Sequence, residues 1–145
     1  MVLWSLMEAL RDEVQQAVKD YWTDQPSGQH DLSVYAGFPP VREQPDEMDS
    51  YIHCLVTKWT DSDSPDRYST ADVELGFSIY DDTDVHQLAN LMEHVRQHLL
   101  AHRIIAGRYS LQLPMTGEIA TQQPYPQWQD RITATYTIGQ PEFWG

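Results

Sequence analysis

The stretch ADVELGFSIYDD, residues 71–82, sets Val73, Leu75, Phe77 and Ile79 against Asp72, Glu74, Gly76 and Ser78. A period of two over this length marks a strand with one apolar and one wet face, since a helix repeats every 3.6 residues. The alternation returns near the C-terminus. There Trp128, Asp130, Ile132, Ala134, Tyr136 and Ile138 share one face, and Arg131, Thr133, Thr135 and Thr137 share the other. Two half-wet strands need a second layer against their apolar side, and that need constrains everything else.

Two helical stripes supply the layer. Leu3, Leu6, Met7, Leu10, Val14, Ala17, Val18 and Tyr21 recur at three- and four-residue spacing, with Glu8, Asp12, Gln16 and Lys19 opposite. Val85, Leu88, Ala89, Met92, Val95 and Leu99 make a second stripe, and Asp84 with Gln87 reads as a capping pair at its start. Further strands are expected at SVYAG (weak), at SYIHCLVTKW, which is apolar on both faces, and at Ile104, Ile105, Tyr109, Leu111 and Leu113, with Gly107 as a bend or bulge. Strands that run together between helices, rather than alternating with them, predict an α+β fold. The expectation is a mostly antiparallel sheet of about four to five strands, with two main helices packed on one face. The 145 residues read as one domain. Two irregular stretches, of about 28 residues at 22–49 and about 14 at 114–127, are long for so small a core. They read as arms that order against something else.

The net charge of −13, from 22 acidic and 9 basic residues, argues against direct nucleic-acid binding, which needs clustered Lys and Arg. No apolar run reaches the ~18–20 residues of a membrane span. The opening segment lacks a basic start and a cleavage site, so a cytosolic chain is expected. Cys54, the single cysteine, excludes an internal disulfide and reads as a small core residue.

Chemistry-bearing patterns are sparse. His94, His98 and His102 repeat every four residues, a spacing at which two imidazoles can share a metal. The helical wheel puts His94 and His98 opposite the apolar stripe, in solvent and without a third ligand, so an exposed polar face is expected and no metal. DSDSPD, residues 61–66, lacks the glycine and closing glutamate of a calcium loop and reads as an acidic turn. Asp81, Asp82 and Asp84 fall where a strand passes into a helix and suit the helix N-terminus. No nucleophile, phosphate-loop or dinucleotide motif is present, so neither catalysis nor a cofactor is expected.

The remaining feature is QPYPQW. Pro124 and Pro126 stiffen the chain, while Tyr125 and Trp128 offer large amphipathic surfaces. Three readings stay open: a cover over the end of the last strand, a docking surface for another chain, and a small-ligand pocket. Phe143 and Trp144 near the C-terminus join Tyr125 and Trp128 as candidate interface residues.

VELGFSIYDDTDVHQLANLMEHVRQHLL, then IIAGRYSLQLP, then PYPQWQDRITATYTIG resembles the tail-terminator and tail-completion proteins of long-tailed bacteriophages, some of which are known as minor capsid or head–tail joining proteins. The resemblance covers about residues 72–138 and lies in the strand and helix pattern, not in catalytic residues. It implies an α+β fold, no enzymatic activity, and a ring of six identical subunits in the virion. Such a ring caps the tail tube and contacts the tube protein and the head-side connector, with DNA passing through unbound. A connector or minor capsid protein is the neighbouring alternative. From a different class, an acidic DNA mimic or immunity-type inhibitor would bind a basic enzyme.

Overall fold

The computed structural model describes residues 2–20, 22–25, 28–39, 50–64, 66–81 and 84–139. In chain order these form α1 (Val2–Val18), β1 (Trp22–Gln25), β2 (Gly28–Asp31), β3 (Ser33–Ala36), β4 (Tyr51–Thr60), β5 (Ser69–Tyr80), α2 (His86–Ala101), β6 (Ile104–Ile105), β7 (Tyr109–Glu118) and β8 (Gln127–Gly139).

The fold is α+β: two helices against a six-stranded, mostly antiparallel sheet that curls into a half-barrel, in the order β3-β4-β5-β8-β7-β6. The two alternating stretches are its central pair. β5 and β8 run antiparallel, with Leu75 opposite Ile132, Val73 opposite Ala134 and Ala71 opposite Tyr136. β4 flanks β5 on the other side, bringing Ile52 to Phe77 and Cys54 to Leu75. These side chains form one apolar face, and the stripes of both helices bury against it. Leu6, Leu10, Val14 and Val18 come from α1, and Leu88, Leu91, Met92, Val95 and Leu99 from α2. Near-complete burial of a Leu, Val or Ile contributes about 1.5–3 kcal/mol each, so this interface dominates the favourable side of folding.

Several details depart from the sequence reading. The sheet holds six strands, not four or five, because the region around Gly107 is a hairpin rather than a bend in one strand. Ala106 (φ 53°) and Gly107 (φ 65°) take successive left-handed conformations, closed by the Arg108 N–H donating to the Ile105 carbonyl at 3.1 Å. Successive positive φ values match the right-handed twist of paired strands. Within residues 22–49, read as mostly irregular, β3 falls on the weak strand expected at SVYAG, whereas the antiparallel pair β1 and β2 was not expected. β3 pairs parallel with residues 51–54 of β4; residues 40–49 lie outside the described part. In the second stretch, β7 runs on through Pro114 to Glu118. The strand survives because Pro114 sits in a bulge, where three residues, 113–115, oppose Ala134 alone and no ladder donor is required.

At the start of α2 the expected Asp84–Gln87 pair is replaced by a different arrangement. Asp84 Oδ1 accepts from the His86 N–H at 2.8 Å, and the buried Asp81 carboxylate accepts from the Gln87 N–H at 3.4 Å. Acids do serve this N-terminus, as its dipole favours.

Candidate functional site

The proline-aromatic segment closes one end of the sheet. Asp81, at the end of β5, is the knot: its N–H donates to the Pro126 carbonyl at 3.0 Å, and its carbonyl accepts from Trp128 Nε1 at 2.8 Å. Trp128 is thereby half-buried at the head of β8, opposite Ile79. Tyr125 meets it edge-on, with ring centroids 5.9 Å apart, yet stays 59% exposed. Trp128 therefore covers the strand end, while Tyr125 presents its ring to solvent. Phe143 and Trp144 lie outside the described residues.

Residues 119–126 fold back on their own subunit instead of reaching away from it. The Ala120 N–H donates to the Asp130 carboxylate, the Gln129 N–H to Gln123 Oε1 at 2.8 Å, and Gln123 Nε2 to the Ala120 carbonyl at 3.0 Å. This corrects the reading of 114–127 as an arm. Asx- and Gln-type side-chain bonds to the backbone give the loop its own order.

Under that loop lies a shallow depression of about 270 Å³ on the wet face, lined by Tyr51, His53, Glu74, Gln129 and Arg131 among others. Its charges form a row across four strands. His53 Nε2 (β4) stands 3.5 Å from Glu74 (β5), Glu74 3.7 Å from Arg131 (β8), and Arg131 3.0 Å from Glu118 (β7). Gly76 leaves a gap in the row, and the His53 ring fills it: a Cβ built on Gly76 would fall 2.0 Å from His53 Cε1. Ser78 is buried beside it, accepting from Gln127 Nε2 at 2.9 Å and Gln129 Nε2 at 3.2 Å. Glu74 and Glu118 flank the Arg131 guanidinium from both sides, as opposite-charge cross-strand pairs do.

Two apolar depressions sit elsewhere on the body. One, between α2 and the β7–β8 edge, is lined by Ala89, Met92, Met115, Ile119 and Ile132. The other, formed by the start of α1, the end of β4 and the end of β8, is lined by Val2, Leu3, Trp4, Trp59 and Ile138. Ile132 and Ile138 are six residues apart on β8, so the two lie about 20 Å apart along the strand. Trp59 is 55% exposed and Ile119 43%. Neither depression was legible beforehand, because each joins residues remote in sequence.

In the histidine row His94 and His102 are exposed, as expected, but His98 is half-buried against α1. α2 lies in the corner between the sheet and α1, so a second flank of it is covered. His94 Nε2 is 2.7 Å from the Ala17 carbonyl, and His98 Nε2 is 2.8 Å from Glu13 Oε1, both on α1. A wheel drawn for one buried stripe cannot show this. Burial pushes the Cys54 thiol up to about 12, and it is fully enclosed in the core.

No protein-family model and no curated protein sequence matches the chain.

Proposed function

We propose that this chain is a structural, ring-forming component of a long-tailed bacteriophage, set at the head-proximal end of the tail, where it closes the tube and joins it to the head-side connector. The resemblance of residues 72–138 to tail-terminator and tail-completion proteins supplies the role. The observation that carries the assembly is the pair of unlike apolar depressions, one at α2–β7 and one at Trp4–Trp59. Exposed apolar patches of this kind mark contact surfaces. Two different patches on one body suit a heterologous contact, which closes into a ring when the rotation allows. In this reading the contact surfaces lie on the folded body, at the two depressions. A charge of −13 per subunit favours a lumen that DNA crosses without sticking.

The test uses two surface variants, Ile119→Asp and Trp59→Asp, one in each depression. Both positions are exposed enough to change with little effect on folding, within about 0.5 kcal/mol. The native protein should give a discrete ring-sized mass at high concentration, or rings on tube ends in electron micrographs. Each variant alone should stop at monomers. An equimolar mixture should form dimers, since each variant keeps the surface its partner lacks. Monomers at every concentration, together with no binding to tube ends, would overturn the proposal. A mixture that stays monomeric would overturn the two-patch assignment.

A further inference from the structure

We propose that Glu13, His98 and His102 bind a divalent transition-metal ion of the zinc class at the crossing of α1 and α2. One donor atom from each of the three residues lies within 4.8 Å of the other two. The third ligand, absent from any reading of α2 alone, comes from α1, 85 residues away in sequence from His98.

Glu13 Oε1 and His98 Nε2 already stand 2.8 Å apart in a half-buried contact, their side chains 24% and 18% exposed. His102 stacks on His98 with ring centroids 4.3 Å apart and 23° between planes, which keeps it one helical turn from His98 and beside the Glu13 contact. Its Nδ1 lies 3.0 Å from the His98 carbonyl. A carbonyl only accepts, so Nδ1 carries the hydrogen and Nε2 keeps a free lone pair. Metal-ligating histidines commonly show this arrangement, the second nitrogen donating to a backbone carbonyl and fixing the tautomer.

One carboxylate and two imidazoles suit zinc, nickel or copper, whereas calcium and magnesium favour all-oxygen sets. With bonds of about 2.0–2.2 Å, tetrahedral donors sit roughly 3.3 Å apart. Glu13 and His98 therefore separate by roughly half an ångström to admit the ion, the hydrogen that His98 Nε2 now donates to Glu13 is released to solvent or moves to Nδ1, and the exposed His102 swings in. A fourth position is left for water. The C-terminal end of α2 adds its negative dipole pole beside the site. Arg103, next in the chain, turns its Nε to the Leu100 carbonyl at 3.2 Å.

Tag-free protein titrated with Zn²⁺ should take up one ion per chain in calorimetry, and Co²⁺ should give the visible bands of a tetrahedral site. At a hundredfold excess over Kd the melting temperature should rise by roughly 5–10 °C. His102→Ala changes an exposed residue, and Glu13→Gln retains an oxygen that can accept from His98, so both should fold. Each should weaken binding at least about tenfold, and His94→Ala should leave it unchanged. Absence of saturable one-to-one binding would overturn the proposal. So would affinity that survives His102→Ala or that falls equally in His94→Ala, either of which indicates ordinary surface histidines.

Discussion

Gly76→Ala is the sharpest probe of how the wet face is built. The added methyl would lie 2.0 Å from His53 Cε1, 2.5 Å from Nε2 and 2.7 Å from Nδ1, so the ring must leave its seat. Gly76 sits mid-strand without a left-handed backbone, and alanine should therefore fit the chain itself. Replacing glycine within a strand contributes about 0.5–1 kcal/mol of stability through reduced unfolded-state entropy. Against this, displacing a packed ring costs about 1–3 kcal/mol, as overpacking does elsewhere. The His53 side chain is only 20% exposed and its contact with Glu74 is lost as well. Destabilisation of about 1–2 kcal/mol is the expected net effect. In a His53→Ala background the obstacle is gone, and the same Gly76→Ala change should stabilise by about 0.5 kcal/mol or more. Urea unfolding of the four proteins at neutral pH gives the coupling energy directly, expected near 2 kcal/mol. Equal effects of Gly76→Ala in both backgrounds would refute the claim that the ring occupies the glycine's missing side-chain volume.

Leu10→Ala, at a fully buried position on α1, should cost about 3–4 kcal/mol in denaturant melts, because the tightly filled interface leaves a cavity. Tyr136 is wholly buried, and its hydroxyl has no partner among the described residues; Tyr136→Phe should therefore be neutral or stabilise by up to about 1 kcal/mol, and a loss above that would show a hidden partner. Burial raises the Cys54 thiol from 9.0 to about 12, so the unfolded chain ionises there first. Its contribution to stability is whole below pH 9 and declines between 9 and 12, by up to about 1.4 kcal/mol per pH unit; Cys54→Ala should flatten that slope. Ala106→Gly, relieving a left-handed alanine, should stabilise by about 0.5–1 kcal/mol, read as a rise in the denaturation midpoint.

What could be read ahead of the structure was whatever repeats along the chain. Val73 to Ile79 and Trp128 to Ile138 announced two strands with one wet face, and the two apolar stripes announced helices, because burial on one side leaves a periodic imprint; that these strands are the central pair, rather than SYIHCLVTKW being central, was not legible. β1 and β2 are four residues each, too short to imprint a period, and β3, equally short, left only a weak trace at SVYAG. Residues 114–118 read as the start of an irregular stretch; a proline mid-strand is tolerable only in a bulge, and a bulge depends on the partner strand. Gly76 read as one wet-face position among others, since the ring that fills its place comes from β4. Asp81 was read as a helix-start acid, which it is, but its hold on Pro126 and Trp128 needs a fold to bring them together. The Glu13–His98 contact is long-range in the same sense.

β3 covers only residues 51–54 of β4, and β6 meets β7 only at Tyr109 and Ser110. Among the described residues, 55–60 and 112–118 are therefore two unzipped margins on opposite sides of one sheet. Each bears a deterrent: Lys58 on the first, and Pro114 in its bulge on the second. Charge and proline are how free strands are kept from joining at random. Among the described residues, the two selvedges of the sheet are thus left without a partner strand, each carrying its own guard against indiscriminate pairing.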